Sequence, residues 1–251
     1  MKDNEEEKPP DDFRKIPVYP IAQDFDKDKT VFLRKNIIDG TYKNVAHYLD
    51  VQFRLLREDF IGPLREGVDE IAQGVHRNER NQNLRVYRNV EVVDTVCTVS
   101  GIVHLIRFDV RRFQRVKWEN SKRLIFGAFL CLSSDKFKTL VFATVSERKT
   151  EQLKHGFGQV RFLGDLPDVK SGEIYEMVES PGYYEAYSHN LEGLQEISDE
   201  KMPFGRYLVQ CKTTVNPPKY LTVHEMAPPI QPEFEVADND MLPISPRFVI
   251  K

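Results

Sequence analysis

Seven cationic side chains crowd into Arg107–Arg123, RFDVRRFQRVKWENSKR: Arg107, Arg111, Arg112, Arg115, Lys117, Lys122 and Arg123. They stand against two carboxylates, Asp109 and Glu119, and Phe108, Phe113 and Trp118 are interleaved with them. Guanidinium and ammonium groups at this density neutralise phosphates and release counterions, and an aromatic ring can stack on an unpaired base. The chemistry indicated is RNA contact, with Arg107, Arg111, Arg112, Arg115, Lys117, Trp118, Lys122 and Arg123 as the candidate residues. On an extended strand Arg111, Phe113 and Arg115 would share one face, with Arg112 and Gln114 on the other. A charged turn between strands, its aromatics turned into a core, would have the same composition.

No other stretch of the chain carries a chemical signature. The thirteen glycines include no G-x-x-x-x-G-K-[ST] phosphate loop, no G-x-G-x-x-G and no G-x-S-x-G, so a backbone cradle for a triphosphate is missing. His104 lies seven residues from Cys97, but there is no C-x-x-C or H-x-x-x-H pair to build a zinc site. The histidines at 47, 76, 104, 155, 189 and 224 are scattered. We therefore assign no catalytic residue, no cofactor and no metal. HGFGQVRF (His155–Phe162) is similar to the RNP1 signature of RNA-recognition motifs at Gly156, Phe157, Gly158, Val160 and Phe162. It departs from that signature at His155 and at Gln159, where a stacking aromatic belongs. The β-α-β order that such a motif requires is also missing around it.

These residues must be held by a fold, and 251 residues suffice for one large domain or two small ones. Hydrophobic content of 40% and charged content of 30% are ordinary for a soluble protein, and no apolar run approaches bilayer length. The acidic N-terminus, MKDNEEEKPPDD, lacks the apolar core of a signal peptide. Three separated cysteines, Cys97, Cys131 and Cys211, suit a reducing compartment. The net charge of −3 hides a division. Residues 1–12 carry −4 and residues 225–251 carry −3, which leaves +4 for residues 13–224.

The sequence predicts an α+β protein. Val45, Leu49, Phe53, Leu56, Phe60, Leu64, Val68 and Ile71 recur every three or four positions, one apolar stripe along a helix capped by Asn44. Pro63 predicts a kink or a helix–helix junction near Gly62. Arg54, Arg57, Glu58, Arg65 and Glu66 are expected on the wet side. From Leu84 the pattern changes to short β-branched and aromatic runs: LRVYRNVEVVDTVCTVSG, IVHLIRFDV, LIFGAFLCLSS, TLVFATVSE, GQVRFLGD, EIYEMVES and RYLVQCKTTV. Seven such strands predict an antiparallel barrel or sandwich. One further helix is expected at Tyr183–Ile197. The implied organisation is an acidic, proline-containing flexible lead-in over 1–30, a helical unit over 31–76, a polar connector HRNERNQN at His76–Asn83, a β-barrel-like domain over 84–222 and a proline-rich acidic tail over 223–251.

The stretch LRKNIIDGTYKNVAHYLDVQFRLLREDFIGPLREGVDEIAQG (Leu33–Gly74) resembles the segment just upstream of the motor in the NFX-type zinc-finger RNA helicases, which are relatives of the superfamily 1 helicases of nonsense-mediated decay. The resemblance continues through Val96–Val110, Val116–Arg148, Gln159–Phe162, Met177–Ile197 and Lys201–Leu221, in the family's order. It covers residues 13 to 221. It implies a helical element and a barrel-like accessory domain ahead of an ATP-dependent RNA motor. It also implies RNA and that motor, in cis or in trans, as partners. Family members act in the cytoplasm and in ribonucleoprotein granules, in antiviral RNA sensing and small-RNA silencing. The motor and the Cys/His-rich zinc fingers are absent here, so the chain reads as a piece of a longer protein or a stand-alone module, and no catalytic residue is carried over. The alternative reading is a protein–protein scaffold, its partner unknown, that touches neither nucleic acid nor membrane.

Overall fold

The computed structural model describes residues 8–74, 84–99, 101–164, 169–170 and 172–214. The expected connector at 76–83 and tail at 223–251 lie outside these residues. The described residues up to Cys211 form one compact unit, which carries every described helix and strand.

Helix α1 spans Val45–Ala72, and the Asn44 side chain accepts the His47 amide at 2.8 Å, as its cap position predicts. Pro63 lies inside this helix and does not divide it. The proline forfeits one backbone bond, and burial of Phe60, Ile61 and Leu64 on either side offsets that loss.

Among the described residues six strands follow: β1 Arg85–Thr98, β2 Gly101–Arg107, β3 Phe129–Ser133, β4 Val141–Glu147, β5 Phe157–Phe162 and β6 Tyr175–Glu179. They close into a barrel in the order β1-β2-β5-β4-β3-β6, and every neighbouring pair is antiparallel. The short helix α2 (Thr150–Lys154) precedes β5, while α3 (Tyr184–Glu196) and α4 (Gly205–Leu208) follow β6. The fold is thus α+β: a helix, an antiparallel barrel and further helices. The seventh strand expected at Arg206–Val215 does not form in its described residues, 206–214. Once β1 pairs with β6 the barrel has no open edge to receive it, and residues 205–208 turn as α4 instead. Among the described residues no helix is long and apolar enough to cross a membrane.

Strand β3 explains how the two parts join. All five of its residues are buried. Leu130 and Leu132 point into the barrel with Tyr87, Ile106, Val160 and Met177. Phe129 and Cys131 point outward against Phe60, Ile61, Leu64 and Val68 of α1. Alternation has period two, so a strand buried on both faces reads as a continuous apolar run. Farther back, Leu49 and Phe53 of α1 pack on Leu191 of α3 and on Phe13.

Phe13 belongs to the segment expected to be a loose lead-in. It is 4% exposed, and Gln195 of α3 donates to the carbonyls of Phe13 and Ile16 at 2.7 Å each. The arginines expected on the wet face of α1 hold this strap. Arg54 is buried, donating to Asp50 at 2.7 Å and to Asp11 at 2.7 Å, and Arg34 donates to Asp50 at 3.0 Å. Arg57 grips Asp24 through both carboxylate oxygens. A helical wheel sees these arginines as polar and cannot see the strap that covers them.

Asp50, 4% exposed, is the shared acceptor of two buried guanidiniums. Asp50→Ala removes the buried carboxylate that the two guanidiniums share and is expected to cost about 3 kcal/mol. Chemical denaturation checks this, together with faster amide exchange in residues 9–34 than in β3.

Candidate nucleic-acid interface

The basic strip of the sequence is not a strand. After β2 ends at Arg107 the chain makes two 3-10 turns, Arg111–Phe113 and Trp118–Asn120, and the two-faced arrangement expected of a strand does not arise. The turns are fixed from below. Phe108 is 3% exposed, Phe113 8% and Trp118 3%, and all three belong to the barrel's interior core. Phe108 and Phe113 lie 5.4 and 5.2 Å from the ring of Tyr87. Trp118, a candidate contact by sequence, therefore has no ring face free for a base. The aromatics are anchors.

Backbone contacts complete the seat. The Phe108 amide donates to the Gly156 carbonyl at 2.8 Å, and a Cβ on Gly156 would lie 2.5 Å from the Phe108 oxygen. Gly156, at φ +80°, also adopts a conformation that L side chains avoid. This gives the glycine of HGFGQVRF a steric reason that has nothing to do with RNA. β5, which carries the rest of that match, is an interior strand of a closed antiparallel barrel between β2 and β4, not the strand of an RNA-recognition motif.

The main polar anchor is Glu179 at the end of β6, which is 0% exposed. Its carboxylate accepts the Tyr87 hydroxyl at 2.6 Å, the Leu124 amide at 2.8 Å and the Arg85 guanidinium at 2.8 Å. Burial raises its pKa above the usual 4.5 despite these donors. Arg85 also holds the Lys122 carbonyl. Arg148 donates to the carbonyls of Trp118 and Ser121, the latter at 3.1 Å. Sequence reading misses this whole layer. Glu179, Tyr87, Arg85 and Arg148 are far apart along the chain, and no spacing rule links them.

Above the seat, the strip's own charges sort themselves. Arg111 wraps Asp109 through its Nε and a terminal nitrogen at 2.6–3.0 Å, which holds that carboxyl at about 2. Lys154 pairs with Glu119 at 2.7 Å, and Arg107 with Glu91 at 2.6 Å. Arg123 turns inward, its guanidinium 5.3 Å over the Phe113 ring and 5.8 Å over Tyr87. Both acids of the strip are thus neutralised. Arg112, Arg115, Lys117 and Lys122 are exposed, and their side chains make no ion pair or hydrogen bond with any described residue. These four are the cations left for a polyanion. Among the described residues no group of three His, Cys, Asp or Glu side chains could hold a metal ion.

If Glu179 is the seat, its loss must loosen the strip. Glu179→Ala leaves the Leu124 amide without its acceptor and Arg85 with the Lys122 carbonyl but no carboxylate, at an expected cost of about 3 kcal/mol. Protection of the Leu124 amide from exchange should fall with it. Since the folded pKa is raised, the fold binds the proton more tightly than the unfolded chain does. Stability should therefore decline as pH rises from 4.5 through the raised value. Glu179→Gln should flatten that decline in a stability–pH titration.

Residues 79–181, which contain all six strands, match the ZNFX1 domain family. The chain is 43% identical over 217 residues to NFX1-type zinc finger-containing protein 1 of Mus musculus, covering 83% of this chain and 11% of that protein. The Homo sapiens protein of the same name is 42% identical over 217 residues. Helicase required for RNAi-mediated heterochromatin assembly 1 of Schizosaccharomyces pombe is 36% identical over 213 residues, 83% of this chain and 21% of that protein. The chain thus spans about a tenth to a fifth of the length of these relatives. The family match takes in the whole barrel and the likeness to the relatives extends over most of the chain: this chain carries a ZNFX1 domain and is related to one part of the NFX1-type zinc finger-containing proteins.

Proposed function

We propose that this chain is a non-catalytic accessory region of an NFX1-type zinc-finger RNA helicase. In this reading the helical unit of 31–76 and the barrel domain of 84–222 sit ahead of the motor, bind RNA and brace the motor against it, and the tail of 223–251 leads on. The observation that carries the RNA reading is the set of four unpaired, exposed cations, Arg112, Arg115, Lys117 and Lys122, on turns whose carbonyls and aromatics are pinned to the barrel. A rigid, unneutralised strip meets phosphates without first breaking internal ion pairs. Its relatives support the rest: one is named as a helicase and tied by its name to RNAi. In this reading the protein works in the cytoplasm and its ribonucleoprotein granules, in small-RNA silencing or antiviral RNA sensing. The sequence has no phosphate loop, so ATP turnover belongs to the motor.

A second reading has its own observation. The hairpin of β1 and β2 runs past the barrel, and Val93, Val96, Val99 and Ile102 on it are 38 to 111% exposed. Apolar side chains presented on a two-stranded ribbon suit a protein partner, which is the scaffold alternative.

The test is RNA binding by the 251-residue chain across a salt series. Arg112→Ala/Arg115→Ala/Lys117→Ala should weaken binding at low salt and reduce the slope of log K against log salt by about 2, at roughly 0.7 per lost phosphate contact on a single strand. Arg111→Ala, which removes a cation already paired with Asp109, should have the smaller effect. A folded chain that binds no RNA at low salt would favour the scaffold.

A further inference from the structure

One large aromatic beside the strip is not an anchor. Phe126 is 55% exposed, while Leu124 at 2% and Ala128 at 3% on either side of it are buried. The turn that presents it is fixed at several points. The Leu124 amide is held by the buried Glu179 carboxylate at 2.8 Å, and Leu124 takes a left-handed φ of +46°. The Gly127 amide donates to the Val145 carbonyl at 2.9 Å and the Ala128 amide to the Ile125 carbonyl at 3.0 Å. A Cβ on Gly127, at φ +72°, would fall 2.7 Å from the Glu185 carboxylate of α3. Exposure of a phenylalanine costs hydrophobic stabilisation, and a non-glycine left-handed residue adds strain. Here both occur in one turn whose backbone is held on three sides, four residues after the unpaired Lys122. Four residues of chain reach at most about 14 Å, so ring and cation serve one short stretch of ligand.

We propose that Phe126 is a base-stacking platform, and that the strip and this ring together take single-stranded RNA. The inference rests on the RNA-binding reading of the strip and narrows it. The cations grip the ribose–phosphate backbone without regard to sequence, and Phe126 stacks on one unpaired base, a contact a duplex cannot offer. With Phe108, Phe113 and Trp118 all buried, the strip itself provides no other stacking surface. The recognition is tolerant of base identity, because every base has a π-face.

The test compares the 251-residue chain with Phe126→Ala on three probes: a single-stranded oligouridylate, the same oligomer with abasic sites throughout, and an RNA duplex. Phe126→Ala should weaken binding of the oligouridylate by roughly tenfold to a hundredfold, with the salt slope unchanged. It should bind the abasic strand and the duplex as the parent chain does. Phe126→Trp gives a readout independent of affinity. The chain's one tryptophan, Trp118, is 3% exposed, so quenching by aqueous iodide reports position 126, and the oligouridylate should protect it where the abasic strand does not. Equal binding of the oligouridylate by the parent and Phe126→Ala, or an iodide signal that RNA leaves unmoved, overturns the stacking assignment while salt-dependent binding keeps the strip. A protein contact would then account for the exposed ring. Failure of the parent chain to bind any of the three probes at low salt overturns strip and ring together.

Discussion

A single buried carboxylate does most of the positioning in this molecule. Glu179 ends β6 inside the barrel and is fully covered, and a bare carboxylate there would be costly. It is tolerated because Tyr87 and Arg85 from β1 and the Leu124 amide converge on it. The same contacts join the two strands that close the barrel to the far end of the basic strip. The register of β1 on β6, the seat of the turns at 111–120 and the left-handed Leu124 thus share one acceptor. Loss of such a group does more than remove a hydrogen bond, because each donor it leaves is itself buried or structurally committed.

The second organising element is α1. Its middle lies on the outer face of the barrel, where Phe60 meets Phe129 at 5.6 Å and Tyr184 at 5.4 Å. Its first half binds α3 and the N-terminal strap. Burying one helix against so many neighbours compensates for a proline in its interior, and it leaves buried and half-buried guanidiniums that need fixed carboxylate partners. Arg54 and Arg57 meet that need with Asp50, Asp11 and Asp24. Barrel, helix and strap are therefore mutually dependent parts of one unit. In the proposed reading, this rigid base positions a polymer for a neighbouring motor.

Rigidity also shapes the interface. In the strip, aromatic residues go down into the core and carry the turns, whereas cations remain above. Two of those cations are used on the strip's own acids or on Glu91, and one stacks inward on Phe113. What remains is a set of free charges without internal partners to compete for them, beside an exposed ring on a held turn. Binding of a polyanion by such a surface would be electrostatic and salt-sensitive, and in the proposed reading any preference for single strands comes from the ring.

The sequence by itself determined the elements. The three-to-four spacing of Val45 to Ile71 specified a long amphipathic helix, Asn44 specified its start, and the β-branched runs after Leu84 specified an antiparallel barrel or sandwich. Density of like charge at 107–123 was also legible, because composition and local order encode it. The sequence could not assign faces. It put Arg54 and Arg57 in water, left open whether the strip was strand or turn and whether Trp118 was a stacking ring or core, and gave Arg206–Val215 a strand that a closed barrel has no edge to accept. Those outcomes were decided only by tertiary structure. Whether a cation is free depends on which carboxylate the fold brings within about 3 Å, and whether an aromatic is a platform or an anchor depends on what covers it. Glu179 and Phe126 show the limit most clearly. In the chain each is one residue among neighbours of similar kind. The contacts that bury the first and leave the second exposed come from residues far away in sequence, and no local pattern records them.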